Sequence, residues 1–292
     1  MSSSMSSPLR PSIAYAQNFL RNRSLVASLL DACCLNPGDT VYEIGPGKGI
    51  ITAQLAARYQ KVVAIEKDPD LAALLRRRFA ATPNVTIHCG DFLRYRLPRQ
   101  RYQVVANIPF NSTSAIVAHL TAPPSPPEVA HLVIQREAAE TLMGWPRESL
   151  RALHLQPWFE MDITHHFRRT DFWPVPRVDV VMLRLRKRGP PLIRHAEQQA
   201  FRDFVTYLFT SWQPTVTQSL RHLVSRRQLV RLRGQVSFDM DVIPSAMTLD
   251  QWLELFGAFQ LIVGERGRAA IAGGEARLIR HQSKLPKIHR TR

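Results

Sequence analysis

Cysteine is nearly missing from this chain: Cys33, Cys34 and Cys89 are the whole complement of its 292 residues. Three thiols exclude a disulfide framework, and their spacing is not that of a zinc site, so no metal is expected. Adjacent Cys33 and Cys34 are expected to pack as small apolar residues. No apolar run approaches the roughly 20 residues that a membrane-spanning helix needs. The Ser- and Pro-rich start, residues 1–14, has no apolar centre of the kind a secretory signal carries. It is expected to be a disordered tail, and the chain to be cytoplasmic and to avoid membranes. A Walker-type Gly-Lys-Ser/Thr is also absent, which removes the usual demand for a triphosphate. Acidic residues are scarce as well: 23 Asp+Glu face 39 Lys+Arg, a formal net charge of +16. That excess points to a polyanionic partner, nucleic acid first.

What is present is a 45% hydrophobic content, enough to bury a core. From Thr40 to Arg188 short apolar strands alternate with amphipathic helices, the pattern of an α/β sheet with parallel strands. Strands are expected at Val41–Ile44, Val62–Ile65, Val85–His88, Val104–Ala106 and Leu132–Ile134, with two more around Phe159–Phe167 and Val178–Leu185. Helices are expected at Arg23–Ala32 and Leu71–Phe79. Gly189-Pro190-Pro191 marks a domain boundary, beyond which the pattern is helical. Phe201, Phe204, Val205, Leu208 and Trp212 recur at helical spacing, and Thr248 with Gln251 forms a capping box ahead of Leu249, Trp252, Leu253 and Phe256. These side chains are expected to be the core of a small domain. The division is therefore residues 15–188, an α/β domain; 189–265, a helical domain; and 266–292, a flexible basic tail.

Four polar residues stand where four consecutive strands stop. Glu43-Ile44-Gly45-Pro46-Gly47-Lys48-Gly49 follows the first strand and opens a helix near Ile50. Glycine there lets the backbone approach a ligand without a Cβ clash, but the G-x-G-x-x-G spacing of dinucleotide sites is not met. Glu66 ends the second strand, where a carboxylate can take both hydroxyls of a ribose. Asp91 follows the third and can accept from an adenine amine; either carboxylate alone could instead be a helix N-cap. Asn107 ends the fourth. Ligands of open α/β sheets bind at strand C-termini, and an adenosine without a phosphate demand fits S-adenosylmethionine better than NAD or ATP.

The segment Asn107-Ile108-Pro109-Phe110 describes a second ligand. The amide oxygen of Asn107 and a backbone carbonyl beside Pro109 can accept both hydrogens of an exocyclic amine, and Phe110 can stack on the ring that carries it. His119, His131, His165 and His166 lack a partner constellation and are expected to be packing or surface residues.

In order, Gln17-Asn18-Phe19-Leu20, the Glu-Ile-Gly-Pro-Gly-Lys-Gly loop, Glu66, Gly90-Asp91, Asn107-Ile108-Pro109-Phe110 and Phe172-x-Pro-x-Pro-x-Val178 resemble the rRNA adenine dimethyltransferases. The resemblance runs from about Gln17 to Leu185. That superfamily includes KsgA-type small-subunit and Erm-type large-subunit enzymes. Asn-Ile-Pro-Phe, Lys48, Gln135–Ala139 and Gln156–Glu160 look like the Erm type, and Val180 stands where KsgA-type sequences usually have Ser.

The resemblance implies a Rossmann-like class I methyltransferase sheet with a small all-helical C-terminal domain that binds RNA. It implies S-adenosylmethionine as methyl donor, held by Asn18, Leu20, Gly45, Gly47, Glu66, Asp91 and Asn107. Asn107, Pro109, Phe110 and Phe172 would act on the target adenosine, with Phe110 and Phe172 sandwiching a flipped base. The implied partner is 23S rRNA or the assembling large subunit, met by a monomer, with macrolide-lincosamide-streptogramin resistance as the outcome. A KsgA-type 16S rRNA enzyme and a non-catalytic RNA-binding factor are the alternatives. Phosphate contacts are expected from Arg21, Arg23, Arg136, Arg168, Arg169, Arg226, Arg227 and the terminal tail.

Overall fold

The computed structural model describes residues 18–122 and 124–284; the expected tail at residues 1–14 lies outside them, as do Gln17 and residues 285–292. In chain order the strands and α-helices are β1 (Phe19–Leu20), α1 (Arg23–Ala32), β2 (Thr40–Ile44), α2 (Ile50–Ala56), β3 (Lys61–Glu66), α3 (Pro69–Arg78), β4 (Val85–Cys89) and β5 (Tyr102–Asn107). Then come α4 (Thr113–Leu120), β6 (Val129–Gln135), α5 (Arg136–Met143), α6 (Leu150–Leu155), β7 (Phe159–His166), β8 (Phe172–Trp173) and β9 (Val180–Lys187). Helices α7 (Gln198–Thr210), α8 (Val216–Leu220), α9 (Arg226–Gln235), α10 (Leu249–Ile262), α11 (Glu265–Ile271) and α12 (Gly274–Lys284) follow.

The described residues divide into two compact units, one within Met1–Ala139 and Glu160–Lys187, the other within Glu140–Phe159 and Arg188–Arg292. In the first, seven strands lie in the order β4-β3-β2-β5-β6-β9-β7. Pairs β2–β3, β3–β4, β2–β5 and β5–β6 are parallel, whereas β9 runs antiparallel to β6. The sheet is thus mixed rather than all parallel. Its central strands read as continuous apolar runs because helices cover both faces: Val41, Val62, Ala64, Val104 and Leu132 are fully buried. The first helix begins where Asn22 caps it, its side chain accepting from the Ser24 and Leu25 amides, and Asp68 with Pro69 opens α3 in the same way.

The second unit is helical. Phe201 and Phe204 of α7 pack with Trp252, Phe256 and Phe259 of α10, the Phe204 and Phe259 ring centroids standing 4.8 Å apart, and Val205 and Leu208 are buried as well. Thr248 and Gln251 form the expected capping box. Trp212 is a correction: α7 ends at Thr210, and the indole two residues later is fully exposed.

Two boundary expectations also change. Glu140–Phe159 groups with the helices rather than the sheet, because Leu153 is buried, Trp158 sets its edge on Phe201 at 6.2 Å, and the His154 ring meets Thr206 Oγ1 at 3.2 Å. Residues 266–284, expected as part of a flexible tail, instead lie mostly in α11 and α12. Buried Asp203 accepts the Gly273 and Glu275 amides at 2.8 and 2.9 Å and so caps α12 from another helix. Ile271 is buried as well. Of the cysteines, Cys33 is buried, its thiol pushed up to about 12 chiefly by desolvation, but Cys34 is exposed at φ 49°. No described helix is long and apolar enough to cross a membrane.

Candidate active site

The C-terminal ends of β2, β3 and β4 open onto a cleft of about 180 Å3 whose wall includes Ile44, Gly45, Glu66, Asp91, Phe92 and Pro109. Gly45, Gly47 and Gly49 all have positive φ, at 65°, 57° and 77°. The two that matter do different work. A Cβ on Gly45 would meet nothing within 4 Å, so its backbone faces open space in the cleft. A Cβ on Gly47 would lie 2.5 Å from the Phe19 ring; this glycine admits an aromatic ring of the chain itself.

Glu66 is buried, and each of its carboxylate oxygens accepts a backbone amide, Gly47 N–H at 3.0 Å and Asp68 N–H at 2.9 Å. Burial raises its pKa while those two amides lower it. A carboxylate has about four acceptor positions, so a vicinal diol can still be bound. Asp91 caps the 3-10 turn Phe92–Arg94 through the Leu93 amide at 3.0 Å and pairs with Lys67 Nζ at 2.9 Å. The Lys67 pair lowers its pKa. The cap reading and the ligand reading therefore coexist: Lys67 is largely exposed, and an exposed pair contributes about 0–1 kcal/mol, which an incoming amine can replace.

At the end of β5, Asn107 Nδ2 donates to the Asn18 carbonyl at 2.7 Å. With its nitrogen so engaged, the side chain offers its oxygen as acceptor. The Pro109 carbonyl receives the Ser112 amide at 2.9 Å and keeps a second lone pair. Phe110 is half-buried and opens the turn Phe110–Ser112. The strand carrying Asn18's neighbours is itself held: β1 pairs antiparallel with β8, Phe19 opposite Trp173 and Leu20 opposite Phe172, and Arg21 N–H reaches the Asp171 carbonyl at 3.0 Å. The Lys48 ammonium lies 5.8 Å from the Phe19 centroid and 5.7 Å from that of Trp173.

The family described as ribosomal RNA adenine dimethylase matches residues 10–260. The chain belongs to that family. Its members are S-adenosylmethionine-dependent methyltransferases. The chain is 33% identical over 243 residues to an rRNA adenine N-6-methyltransferase of Saccharopolyspora erythraea, covering 83% of this chain and 64% of that longer protein. A ribosomal RNA small subunit methyltransferase A of Synechococcus is 32% identical over 84% of this chain and 91% of its own length. Among solved structures, the 23S rRNA methyltransferase ErmE superposes with a TM-score of 0.74 at 32% identity, over 83% of this chain and all of that one.

The family's cofactor is tested against what the cleft offers. Open space at Gly45, a carboxylate with spare acceptor positions at Glu66, an exchangeable partner on Asp91 and apolar walls at Ile44, Ile65 and Phe92 fit an adenosine. Gly47 fits less directly, since its amide is committed to Glu66 and its α-carbon to Phe19.

Phe172 is the correction of consequence. Expected to sandwich the flipped base opposite Phe110, it is fully buried and packed on Phe167, with centroids 5.2 Å apart. Withdrawing a buried aromatic costs about 1.5–3 kcal/mol, the same size as the roughly 1–3 kcal/mol that one base stack returns. In this structure Phe172 is thus a core ring and presents no face to a base. Among the expected phosphate contacts, Arg136 and Arg169 both pair with Asp179, at 3.6 and 2.8 Å. His119 meets the Tyr95 carbonyl at 3.0 Å, His165 stacks edge-on to Phe167, and His131 is buried, burial lowering its pKa to about 4.

From sequence, Glu43 counts only as part of the glycine loop at the first strand's end. It is buried beside the glycine loop, accepts the Thr52 hydroxyl at 2.6 Å, and desolvation, aided by nearby Glu66, raises its pKa to about 8. The family loop contained the residue, but only the fold reveals that its carboxyl is walled off from water.

Proposed function

We propose that the protein transfers methyl from S-adenosylmethionine to N6 of a specific adenosine in 23S rRNA, and that the modification confers macrolide-lincosamide-streptogramin resistance. The observation that carries the reading is the Asn107 amide, oriented by its 2.7 Å bond to the Asn18 carbonyl at the end of β5. An adenine amine is a poor nucleophile because its lone pair is delocalised into the ring. Asn107 Oδ1 and the carbonyl beside Pro109 accept its two hydrogens and favour a more tetrahedral nitrogen, while Phe110 supports the ring. S-adenosylmethionine, when bound, supplies an electrophilic methyl on its sulfonium. Glu66 takes the ribose hydroxyls, Asp91 the adenine edge, and Asn18, Leu20 and Gly45 line the methionine end. This chemistry needs placement and dipoles more than a strong base. The target nucleotide is unpaired or flipped, since a stacked base cannot enter.

The large-subunit assignment is supported by Phe110, Val180 and the likeness to ErmE over 83% of this chain. The small-subunit reading is favoured by the near-equal identity to the Synechococcus protein. We place the enzyme in the cytoplasm as a monomer acting on 23S rRNA or the assembling large subunit. Primer extension on both rRNAs from cells expressing the chain decides: the expected stop is in 23S rRNA alone, and a stop only in 16S rRNA refutes the assignment.

A further inference from the structure

We propose that Trp173 and Lys48 form a nucleotide subsite next to the target-base site, where a base flanking the modified adenosine stacks on the indole and its phosphate meets the ammonium. The inference rests on the methyl-transfer reading above. Its basis is the alternation of β8: Phe172 points into the core with no exposed surface, whereas Trp173, the next residue, keeps 43% of its surface exposed. Successive side chains of a strand face opposite ways, so burying Phe172 turns Trp173 outward.

The indole is held in register. Trp173 pairs with Phe19, whose ring fills the space over Gly47. Phe19 directly follows Asn18, whose carbonyl receives the Asn107 amide. The exposed ring is therefore tied through one short strand to the residue that orients the target amine. Lys48, exposed and 5.7 Å from the Trp173 centroid, supplies a cation at the same place. At an exposed site a cation–π contact is weak, so the ammonium is available to a phosphate that brings full charge.

An aromatic face beside a cation is the recurring unit of single-strand nucleic-acid binding, and the net charge of +16 favours that partner over an apolar protein surface. With Phe172 buried, Trp173 is the ring of β8 that faces outward to meet a neighbouring base.

The test uses steady-state kinetics on the rRNA fragment that the wild-type enzyme methylates, with cofactor affinity measured in parallel by calorimetry. W173A is expected to raise KM for RNA by about tenfold, the effect of losing one stacked base, with kcat and cofactor affinity nearly unchanged. W173F should keep most of the affinity. K48Q should reduce the slope of log KM against log salt by about one. Replacing the flanking nucleotides one at a time by an abasic unit should, at one position, make wild type and W173A equal. An unchanged KM in W173A, a loss of cofactor affinity as large as the rise in KM, or no abasic position that equalises the two overturns the subsite. If the wild type methylates no RNA at all, the methyl-transfer reading falls and takes the subsite with it. Methylation with an unaltered W173A falsifies the subsite alone.

Discussion

Asn107 and Asn18, 89 residues apart in sequence, are joined by a hydrogen bond of 2.7 Å from the side-chain nitrogen of the first to the carbonyl of the second. One bond thereby settles which end of the amide is left to accept. A direct consequence is that the amide matters for its orientation as well as its oxygen. N107A should lower kcat/KM by about 100-fold or more, the scale of losing one placed polar group. N107D keeps an oxygen acceptor but loses the donor to Asn18, and should also be severely impaired. Methyl incorporation from labelled cofactor measures both; an active N107D would show that orientation is unimportant.

Buried Glu43 makes stability depend on pH. Its folded pKa is raised to about 8 from an ordinary 4.5. Between those values the unfolded chain has an ionised carboxylate and the folded chain a protonated one. The stabilising contribution is present below about 4.5 and is lost as pH rises toward 8. E43Q cannot ionise and should show a flatter melting temperature from pH 5 to 8.5, by roughly 2–4 °C for each kcal/mol involved. Calorimetric scans of the two proteins across that range check it; parallel curves would contradict the burial argument.

Gly47 allows no side chain. At φ 57°, with a Cβ placed 2.5 Å from Phe19, G47A should displace the β1 strand and weaken cofactor binding at least tenfold, at a backbone cost of about 1–2 kcal/mol. Titration calorimetry reads the first effect and thermal melting the second. Wild-type affinity in G47A would mean that Phe19 yields freely.

Asp203 holds the C-terminal helix. D203A would leave the Gly273 and Glu275 amides without their acceptor, at about 1–3 kcal/mol. Hydrogen exchange should show α12 opening before the rest of the helical unit, and unchanged protection there would rule the cap out.

Neutralising outward charges on α12 separates RNA binding from folding. Arg280 and Lys284 are exposed. R280Q/K284Q should flatten the salt dependence of RNA affinity by about one for each phosphate that those side chains neutralise, without a change in melting temperature. A salt slope equal to that of the wild type would mean that this face of α12 never meets RNA. Deleting the whole segment would be a poorer test, since it also removes buried Ile271 and the Asp203 cap.

Much of this site was legible because its signals are local. A strand, a glycine bend and a polar residue at the strand end sit together in sequence, as in Val41–Gly45 and Tyr102–Asn107, and apolar runs of that length fit buried parallel strands. What stayed hidden depends on distant partners. Phe172 reads equally well as a stacking ring or a core ring until Phe167 and Leu20 are seen beside it. The segment Glu140–Phe159 carries no linker signal, and only neighbours such as Trp158 on Phe201 assign it to the helices. A run of arginines with two glycines looks like a loose tail unless an aspartate in another helix accepts its amides.

Mass spectrometry of both rRNAs after incubation with the protein and isotopically labelled S-adenosylmethionine tests the central proposition most directly. Label is expected on N6 of one adenosine of 23S rRNA, and is lost with N107A. Label confined to 16S rRNA would contradict the choice of target, and label on neither RNA would contradict the activity itself.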